Sequence, residues 1–409
     1  CTHLSVAENI FLGRELIKNG RLDNERMNQE TKEILHKLNI DIDPREQVSE
    51  LAVSKQQMVE IAKALSQNAK VLIMDEPTSA LTSKEIDELF KIIHQLKSEG
   101  IGIIYISHRL EELQHIVDRV IIMRDGKYIT QMPYDINRMD EIIANMVGHE
   151  IKEKFPRVSC EKGKKILEVK HLNAGRMVRD INLELYEGEI VGIAGLMGAG
   201  RTELAMSIFG KSYGTKISGQ IFMNGKEVKL NTVQEAIDNK LAYVTEDRKG
   251  NGLILSKSIK MNTSLANMKG ISNGQVIDAD KEYAVAEEYR KKLKTKCPSV
   301  EQNVGNLSGG NQQKVLLAKW MFAEPDILIL DEPTRGIDVG AKYEIYCIIN
   351  DLVAAGKSVI MISSELPEVL GMSDRIYIMN EGKFVGEVSK EEATSELIMS
   401  KIVKSGKGA

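Results

Sequence analysis

The amino-acid sequence predicts an α/β protein that contains two tandem copies of one domain, each built on a mostly parallel sheet. The copies are indicated by a repeat, because Asp75-Glu76-Pro77-Thr78 recurs as Asp331-Glu332-Pro333-Thr334, and other residues recur at the same spacing of 256 residues. The fold class is indicated by apolar runs such as Val71–Met74, Ile101–Ile106 and Ile327–Leu330, which alternate with amphipathic helical segments. Such runs are typical of buried parallel strands. A period this long corresponds to a whole domain, not to a short solenoid unit.

Composition excludes several classes of protein. The chain has 409 residues, of which 42% are hydrophobic and 28% charged, as in ordinary globular domains. A net charge of −4 argues against a protein that binds nucleic acid through a strongly basic surface. No apolar run approaches the roughly 18 residues that a membrane span needs, so we expect at most a peripheral membrane subunit. The four cysteines form no CxxC pair, so neither a zinc site nor a disulfide framework is indicated.

The repeat also sets the predicted domain boundaries. We expect the first copy over residues 1–135, a charged linker over residues 136–165 and the second copy over residues 166–409. The second copy extends back through a glycine-rich loop at Gly195–Thr202. Projected by the repeat spacing, the equivalent loop of the first copy would precede Cys1. We therefore expect the first copy to lack its N-terminal part, including its phosphate-binding loop.

The loop Gly195–Thr202 is predicted to bind phosphates. It joins a predicted strand to a predicted helix, the context in which backbone amides and a helix N-terminus hold phosphate groups. Thr202 would offer its hydroxyl to magnesium. Arg201 stands where the pattern has lysine, and a guanidinium group is not equivalent to a lysine ammonium group. A plain glycine turn is the alternative interpretation. The residues expected to contribute are Gly195, Gly198, Ala199, Gly200, Arg201 and Thr202.

A pair of acidic residues ends one predicted strand in each copy. The pairs are Asp75-Glu76 and Asp331-Glu332, and each is followed by Pro-Thr. In the Walker B arrangement, the aspartate holds magnesium and the glutamate polarises the attacking water. Strand-end carboxylates can also be plain surface charge, but their recurrence in both copies favours function. We therefore expect Asp75 and Asp331 to bind magnesium, and Glu76 and Glu332 to be catalytic.

The string Leu307–Lys314, LSGGNQQK, begins a predicted helix. A serine and two glycines at a helix N-terminus would allow close approach to a γ-phosphate, although an ordinary serine-capped helix is the alternative. With the loop and the acidic pairs, this string resembles the signature motif of ATP-binding cassette ATPases. The resemblance implies a P-loop NTPase fold in both copies, with ATP and magnesium as cofactors. It also implies nucleotide contacts from Leu307, Ser308, Gly309 and Gly310.

The same resemblance assigns roles to five further positions. His108 is implied as the switch histidine, which contacts the γ-phosphate and the water, and Ser364 stands at the equivalent position of the second copy. Glu246 contributes to the nucleotide site where the family's Q-loop usually has glutamine. Leu81 and Asp338 fall in the two D-loops.

The resemblance further implies two unequal nucleotide sites. Cassette ATPases pair head to tail, so each nucleotide lies between the Walker motifs of one copy and the signature of the other. In the first signature, Ala52 removes the serine hydroxyl and two side chains replace glycines. The site that uses it also carries Arg201 and Ser364, so we expect it to hold nucleotide but to hydrolyse poorly, whereas Glu76 and His108 belong to the competent site. The degenerate signature consists of Leu51, Ala52, Val53 and Ser54.

Longer strings resemble the tandem ATPase subunits of bacterial monosaccharide importers, the ribose, xylose, arabinose, galactose and multiple-sugar group. This resemblance covers essentially all 409 residues. It implies ATP-driven uptake, in which closure of the cassette pair acts on a membrane permease and, through it, on a sugar-binding protein. It also implies a peripheral location on the cytoplasmic face of the membrane and no nucleic-acid partner. The strings are Met197–Glu203, Thr245–Lys249, Leu307–Lys314, Asp331–Lys342 and Ile362–Glu365.

Two other functions fit parts of the sequence. A soluble tandem cassette ATPase acting on ribosomes or nucleic acid is suggested by the basic segment Glu287–Lys296. Val285, Tyr289 and Leu293 would give that helix a buried face, so a solvated basic face is the simpler interpretation. Such proteins would also be expected to keep both P-loop lysines and two good signatures. A regulatory protein that binds ATP without turnover is the third possibility.

Overall fold

The computed structural model describes most of the chain as two compact units, Cys1–Glu150 and Ile151–Ala409. The predicted switch residue His108, and the side chains of Val53 and Ser54, lie outside the described residues. The described residues are 1–38, 40–67, 69–78, 81, 83–107, 110–124, 126–147, 155–157, 162–214 and 216–405.

The first unit contains helices alternating with short strands. Its helices are α1 (Val6–Phe11), α2 (Asn24–Lys37), α3 (Val53–Leu65), α4 (Ser83–Ser98), α5 (Leu110–Ile116) and α6 (Met139–Val147). Its strands are β1 (Ile17–Lys18), β2 (Arg21–Leu22), β3 (Val71–Asp75), β4 (Gly102–Ile106), β5 (Arg119–Arg124) and β6 (Lys127–Pro133). Strands β3 and β4 pair in parallel, whereas β5 and β6 form an antiparallel hairpin.

The β3–β4 pair differs from the sequence prediction in its burial. Leu72 and Met74 are buried, but Val71 and Ile73 on the other face are 58% and 64% exposed. The side chains of a strand alternate between the two faces of its sheet, and among the described residues of this unit only one face is packed. Among the described residues, the prediction of a buried strand therefore holds for one face of β3 and not for the other.

The second unit contains a larger set of elements. Its helices are α7 (Arg201–Ile208), α8 (Val233–Asp238), α9 (Ile259–Ser264), α10 (Ala279–Lys292), α11 (Gly309–Met321), α12 (Val339–Ala354), α13 (Leu366–Met372) and α14 (Ser395–Ser405). Its strands are β7 (Lys165–Ala174), β8 (Val178–Tyr186), β9 (Ile190–Gly195), β10 (Ser218–Met223), β11 (Lys226–Val228), β12 (Leu241–Val244), β13 (Ser272–Asn273), β14 (Val276–Ile277), β15 (Ile327–Asp331), β16 (Ser358–Ile362), β17 (Arg375–Asn380) and β18 (Lys383–Ser389).

A six-stranded sheet organises the second unit. Its order is β12-β15-β16-β9-β17-β18, and every pair is parallel except β17–β18. Every residue of β15 and β16 is buried, which explains why their sequences are continuous apolar runs. A four-stranded antiparallel sheet, β11-β10-β7-β8, lies in the same unit. The predicted α/β class with mostly parallel sheets is confirmed.

The internal repeat is visible in local geometry. Helix α1 begins at Ser5, whose side chain accepts a hydrogen bond from the backbone N–H of Glu8. Helix α9 begins at Ser258 in the same way, with Met261 as the donor. N-cap serines of this kind satisfy amides that the helix itself leaves unpaired. The two copies therefore start the same element with the same device.

The segment assigned to a linker, residues 136–165, contains folded parts. Ile142 of α6 is fully buried against the β5–β6 hairpin. Further along, the side chain of Arg157 is 1% exposed and forms an ion pair with Asp374, and the ring of Phe155 lies 5.4 Å from that of Tyr346. None of the described helices is both long and apolar enough to span a bilayer.

Candidate functional site

The glycine-rich loop lies where the sequence predicts, between β9 and α7. Gly200 is the N-cap of α7 with φ 104° and Gly198 has φ 78°, backbone conformations that strongly favour glycine. A Cβ atom at Gly195 would lie 2.5 Å from the carbonyl oxygen of Met379, and one at Gly200 would overlap the carbonyl oxygen of Met177. The loop thus closes on neighbouring backbone and presents the N-terminus of α7, which is the arrangement that binds phosphate.

The side chain of Arg201, at the lysine position of the loop, contacts the ends of two neighbouring strands. Its Nη1 donates a hydrogen bond to the carbonyl oxygen of Ser363 at 2.5 Å. Its Nη2 lies 3.6 Å from Oε1 of Glu332, and both side chains are 9% exposed. A lysine ammonium lacks the two spaced donors that make both contacts at once. The guanidinium therefore connects the Walker B glutamate to the end of β16.

Asp331 ends β15 and is fully buried. The hydroxyl of Tyr243 donates to its Oδ2 at 3.0 Å. Burial raises the pKa of Asp331 to about 6, against hydrogen bonds from Thr202 and Tyr243 that lower it. Among the described residues, no donor pairs with its Oδ1. An unpaired buried carboxylate oxygen beside a threonine hydroxyl fits magnesium, which takes oxygen ligands.

Each Walker B glutamate adopts an unusual backbone conformation. Glu76 has φ 46° and Glu332 has φ 49°, in the left-handed region that non-glycine residues seldom adopt. The N–H of Glu76 donates to the carbonyl of Ile106 at 2.8 Å, and that of Glu332 to Ile362 at 2.9 Å. Backbone strain of this kind persists only where the surroundings hold it, and it clusters at functional sites. The shared geometry supports a functional role for both residues.

The carboxylate of Glu332 has two partners in its own unit. The hydroxyl of Ser364 donates to Oε2 at 2.9 Å, and Arg201 approaches Oε1. Burial raises the pKa of Glu332, while Ser364 and Arg201 act in the opposite direction. Ser364 stands at the position where the first copy has His108.

The signature string forms the start of α11. Ser308 is its N-cap, and the Ser308 hydroxyl accepts a hydrogen bond from the side chain of Asn311 at 2.9 Å. A Cβ at Gly310 would lie 2.5 Å from Cβ of Ala341, and one at Gly309 would lie 2.9 Å from the carbonyl oxygen of Gly336. Packing inside the unit thus already requires both glycines. In the first copy, Ala52 caps α3 with no side-chain hydrogen bond.

The remaining predicted positions lie in turns. Glu246, at the Q-loop position, lies 3.4 Å from Nη1 of Arg335. Asp338 caps α12 by accepting a hydrogen bond from the backbone N–H of Ala341 at 2.9 Å. Leu81 donates its backbone N–H to the carbonyl of Thr78 at 3.1 Å.

Arg248 is a connecting residue that the sequence analysis missed. It donates to the carbonyl oxygens of Arg335 at 2.6 Å and Gly336 at 3.0 Å, and its Nε lies 3.4 Å from Oε1 of Gln312. Arg248 therefore joins the Q-loop segment, the turn after β15 and the first turn of α11. Arg248 lies in the string Thr245–Lys249, and its place in that string was the only indication of a role that the sequence offered.

Within the second unit, the parallel sheet brings the phosphate loop, Asp331 and Glu332 to one edge. The loop follows β9 and the acidic pair follows β15, and these two strands flank β16. Ligands of α/β proteins bind at the carboxyl ends of such strands. Fold and site together define a P-loop nucleotide-binding protein of the cassette type.

Comparisons with known proteins agree with this class. The family described as ABC transporter matches residues 2–79 and 178–335. The chain is 53% identical over 98% of its length to the L-arabinose transport ATP-binding protein AraG of Geobacillus stearothermophilus, covering 80% of that protein. It is 48% identical over 97% of its length to the ribose import ATP-binding protein RbsA of Clostridium tetani, covering 79% of it. It is 49% identical, again over 97% of the chain, to the xylose import ATP-binding protein XylG of Geobacillus kaustophilus, covering 80%.

Among solved structures, MJ1267, an ATP-binding cassette of an ABC transporter, superposes with a TM-score of 0.51 at 19% identity. That match covers 59% of this chain and 98% of the other, and it shows the fold alone. The chain belongs to the ABC transporter family of ATPases.

Proposed function

We propose that the chain is the ATP-binding and ATP-hydrolysing subunit of a bacterial monosaccharide importer. The observation that carries this proposal is its identity of 48–53%, over nearly the whole chain, to arabinose, ribose and xylose import ATP-binding proteins. In this role it works at the cytoplasmic face of the membrane, bound to permease subunits. A sugar-binding protein delivers the sugar and acts on the chain through the permease.

Nucleic acid is not a proposed partner. The net charge is −4, and the basic helix α10 is partly neutralised because Arg290 pairs with Glu287 at 2.9 Å. Tyr289 and Leu293 on the same segment are buried in the core of the second unit. These features favour a solvated basic face over a ribosome- or nucleic-acid-binding surface.

The second copy has the groups needed to hold magnesium and ATP. The amides of the loop Gly195–Thr202 and the N-terminus of α7 would hold the phosphates. Thr202 and Asp331 would hold magnesium, which neutralises charge on the phosphate oxygens when bound. In phosphoryl transfer to water, the protein contributes chiefly positioning and electrostatic stabilisation. The glutamate at the end of each Walker B strand would orient the water and accept its proton.

We further propose that the two copies contribute unequally to hydrolysis. In the second copy, Arg201 and Ser364 engage different oxygens of the Glu332 carboxylate. Both oxygens of this carboxylate are therefore engaged inside the unit, and these contacts compete with the hydrogen bond that would orient the attacking water. The first copy has the same glutamate, Glu76, with His108 in place of the serine. Most turnover would therefore depend on Glu76, while the second copy holds nucleotide.

The signatures add to this inequality. Ser308, Gly309 and Gly310 offer a hydroxyl and close approach at the start of α11, whereas α3 starts at Ala52. By the family's head-to-tail pairing, the good signature serves the Walker residues of the first copy. Catalysis needs donors where charge develops, and one lost donor costs about 10²–10³ in rate. Several replaced groups would therefore fall together on the site that uses the Walker residues of the second copy.

The test compares Glu76→Gln with Glu332→Gln, which are matched because both lie in Asp-Glu-Pro-Thr. We expect Glu76→Gln to remove nearly all sugar-stimulated ATP hydrolysis, by about 10²–10³-fold, and Glu332→Gln to leave most of it. His108→Ala should behave like Glu76→Gln. Ser364→His should not restore the second copy by itself. Equal losses from the two glutamate variants, measured in membranes with the permease and binding protein, would contradict the unequal roles.

A further inference from the structure

A buried glutamate occupies equivalent positions in the two copies. Glu112 on α5 is 4% exposed and Glu368 on α13 is 1% exposed, and they lie 256 residues apart. Both helices follow the strand that pairs with the Walker B strand, β4 in one copy and β16 in the other. None of the motifs identified above includes either residue.

In the second copy, this carboxylate collects hydroxyl donors from three elements. Oε1 of Glu368 accepts from Thr334 and from Tyr346, each at 2.5 Å, and Oε2 accepts from Ser363 at 2.8 Å. The ammonium of Lys342 lies 3.6 Å from Oε1. Thr334 is two residues after Glu332, and Ser363 immediately precedes Ser364.

The first copy repeats the arrangement with its own residues. Oε1 of Glu112 accepts from Thr78 at 2.6 Å, and Oε2 accepts from Ser107 at 3.1 Å and from Tyr105 at 2.7 Å. The threonine and serine are equivalent in the two copies. The tyrosine is not, because it comes from β4 in the first copy and from α12 in the second. A different element thus supplies the third donor to the same carboxylate.

The carboxylate therefore joins two segments that the reaction needs to be aligned. One is the turn that carries the Walker B glutamate in its left-handed conformation; the other is the strand end that precedes the switch position. We propose that Glu112 and Glu368 are positioning residues, each of which holds the Walker B turn of its copy in register with the switch strand. The expectation that Glu112 affects turnover more than Glu368 does rests on the proposed function above.

A carboxylate suits this task because it only accepts hydrogen bonds. All three hydroxyl protons are therefore directed to it, which fixes the side chains that carry them. A glutamine of the same shape would place an NH₂ group against hydroxyls that are oriented as donors. Each of these hydroxyls must then turn its proton away and lose that bond, or move, which loosens the link between the segments. A displacement of about 1 Å at reacting groups can cost about 10²-fold in rate.

The experiment measures kcat and KM for ATP in the complete transporter carrying Glu112→Gln. We expect kcat to fall about 10–100-fold, with KM and equilibrium Mg-ADP affinity within about threefold, since the hydrogen bonds described for Glu112 go to Thr78, Tyr105 and Ser107. Thr78→Val should lower kcat in the same direction and Thr78→Ser should retain it, because serine keeps the hydroxyl. The threonine variants keep the test decisive if Glu112→Gln does not fold.

The matched control is Glu282→Gln. Glu282 is also a buried glutamate bound to a hydroxyl, that of Ser264 at 2.8 Å, but it lies on α10, outside the nucleotide-binding and Walker B residues. It should lower the melting temperature without lowering kcat per folded protein. If Glu112→Gln and Thr78→Val likewise change only the melting temperature, the positioning role is refuted.

Glu368→Gln separates this inference from the proposed function. A kcat loss much larger for Glu112→Gln than for Glu368→Gln supports both the positioning role and the unequal copies. Equal kcat losses from the two variants support the positioning role and refute the unequal copies. No kcat loss from either variant refutes the positioning role, whatever the ratio measured for the Walker B glutamates.

Discussion

The role of the loop Gly195–Thr202 in nucleotide binding can be tested with two of its glycines, which differ in the space available to an added Cβ atom. Both Gly198 and Gly200 have positive φ, 78° and 104°. A Cβ at Gly198 would meet no atom within 4 Å, whereas one at Gly200 would overlap the carbonyl oxygen of Met177 and lie 3.0 Å from Cε of Met379. Gly198→Ala therefore adds backbone strain alone, and Gly200→Ala adds strain together with a backbone clash.

The magnitudes follow from these geometries. A non-glycine residue near the left-handed helical region costs about 1–2 kcal/mol, so Gly198→Ala should weaken nucleotide binding by about tenfold or less. At Gly200, φ is well beyond that region, which lies near 57°, and the clash must be relieved by moving the start of α7. When nucleotide binds, the displaced loop must return to its binding conformation, and the free energy of that change is subtracted from the binding free energy. About 3 kcal/mol or more corresponds to a loss of about 100-fold.

The assay is isothermal titration of the 409-residue chain with Mg-ADP. We expect one site per chain, because the 409 residues contain one such loop. Binding should be about 100-fold weaker for Gly200→Ala and should change little for Gly198→Ala. Fluorescence of Trp320 verifies folding, since the single tryptophan is buried in the second unit, edge-on to Phe209. Wild-type affinity in Gly200→Ala, or equal losses from the two variants, would refute the reasoning.

Two further outcomes are expected in the second unit. Arg248→Ala removes donors to two backbone carbonyls and should lower the free energy of unfolding by about 2–3 kcal/mol, measured by urea titration of Trp320 fluorescence. Arg248→Lys should lose less, and an unchanged midpoint in both would contradict the connecting role. Arg201→Lys should lose the hydrogen bond to the Ser363 carbonyl while keeping Mg-ADP affinity within about tenfold, because the positive charge remains. A complete loss of binding would show that the guanidinium contacts the phosphates directly and is not held by Glu332.

The fold class was predictable because buried strands and amphipathic helices each leave a regular pattern of apolar residues in the sequence. Continuous apolar runs mark strands that are buried on both faces, as β15 and β16 are. At β3, one face is packed among the described residues, and Val71 and Ile73 on the other face are exposed. A strand sequence specifies that its side chains are apolar, but not which neighbouring elements cover each face.

The places of the candidate site residues on strand ends and helix starts were predictable from the sequence, whereas their contacts were not. Spacing located the phosphate loop and the two acidic pairs, because strand ends and helix starts are marked by residue type. The contacts of Arg201, Arg248 and Glu368 were not visible, since each reaches partners distant in sequence. For Glu368 a signal existed, because the repeat places Glu112 at the equivalent position. Its significance depended on burial, which one sequence does not give.

The two copies share backbone features and differ in single side chains. Glu76 and Glu332 have nearly the same left-handed φ and the same N–H bond to the neighbouring strand, and a buried glutamate supports the turn after each. Under the proposed unequal roles, hydrolysis alone would not require the second copy to keep this geometry, because Ser364 stands at the position of His108. Its presence there argues that the turn is also required to hold Asp331 in place for magnesium and nucleotide. On that proposal, the two copies would differ in turnover through single side chains while they share one binding geometry.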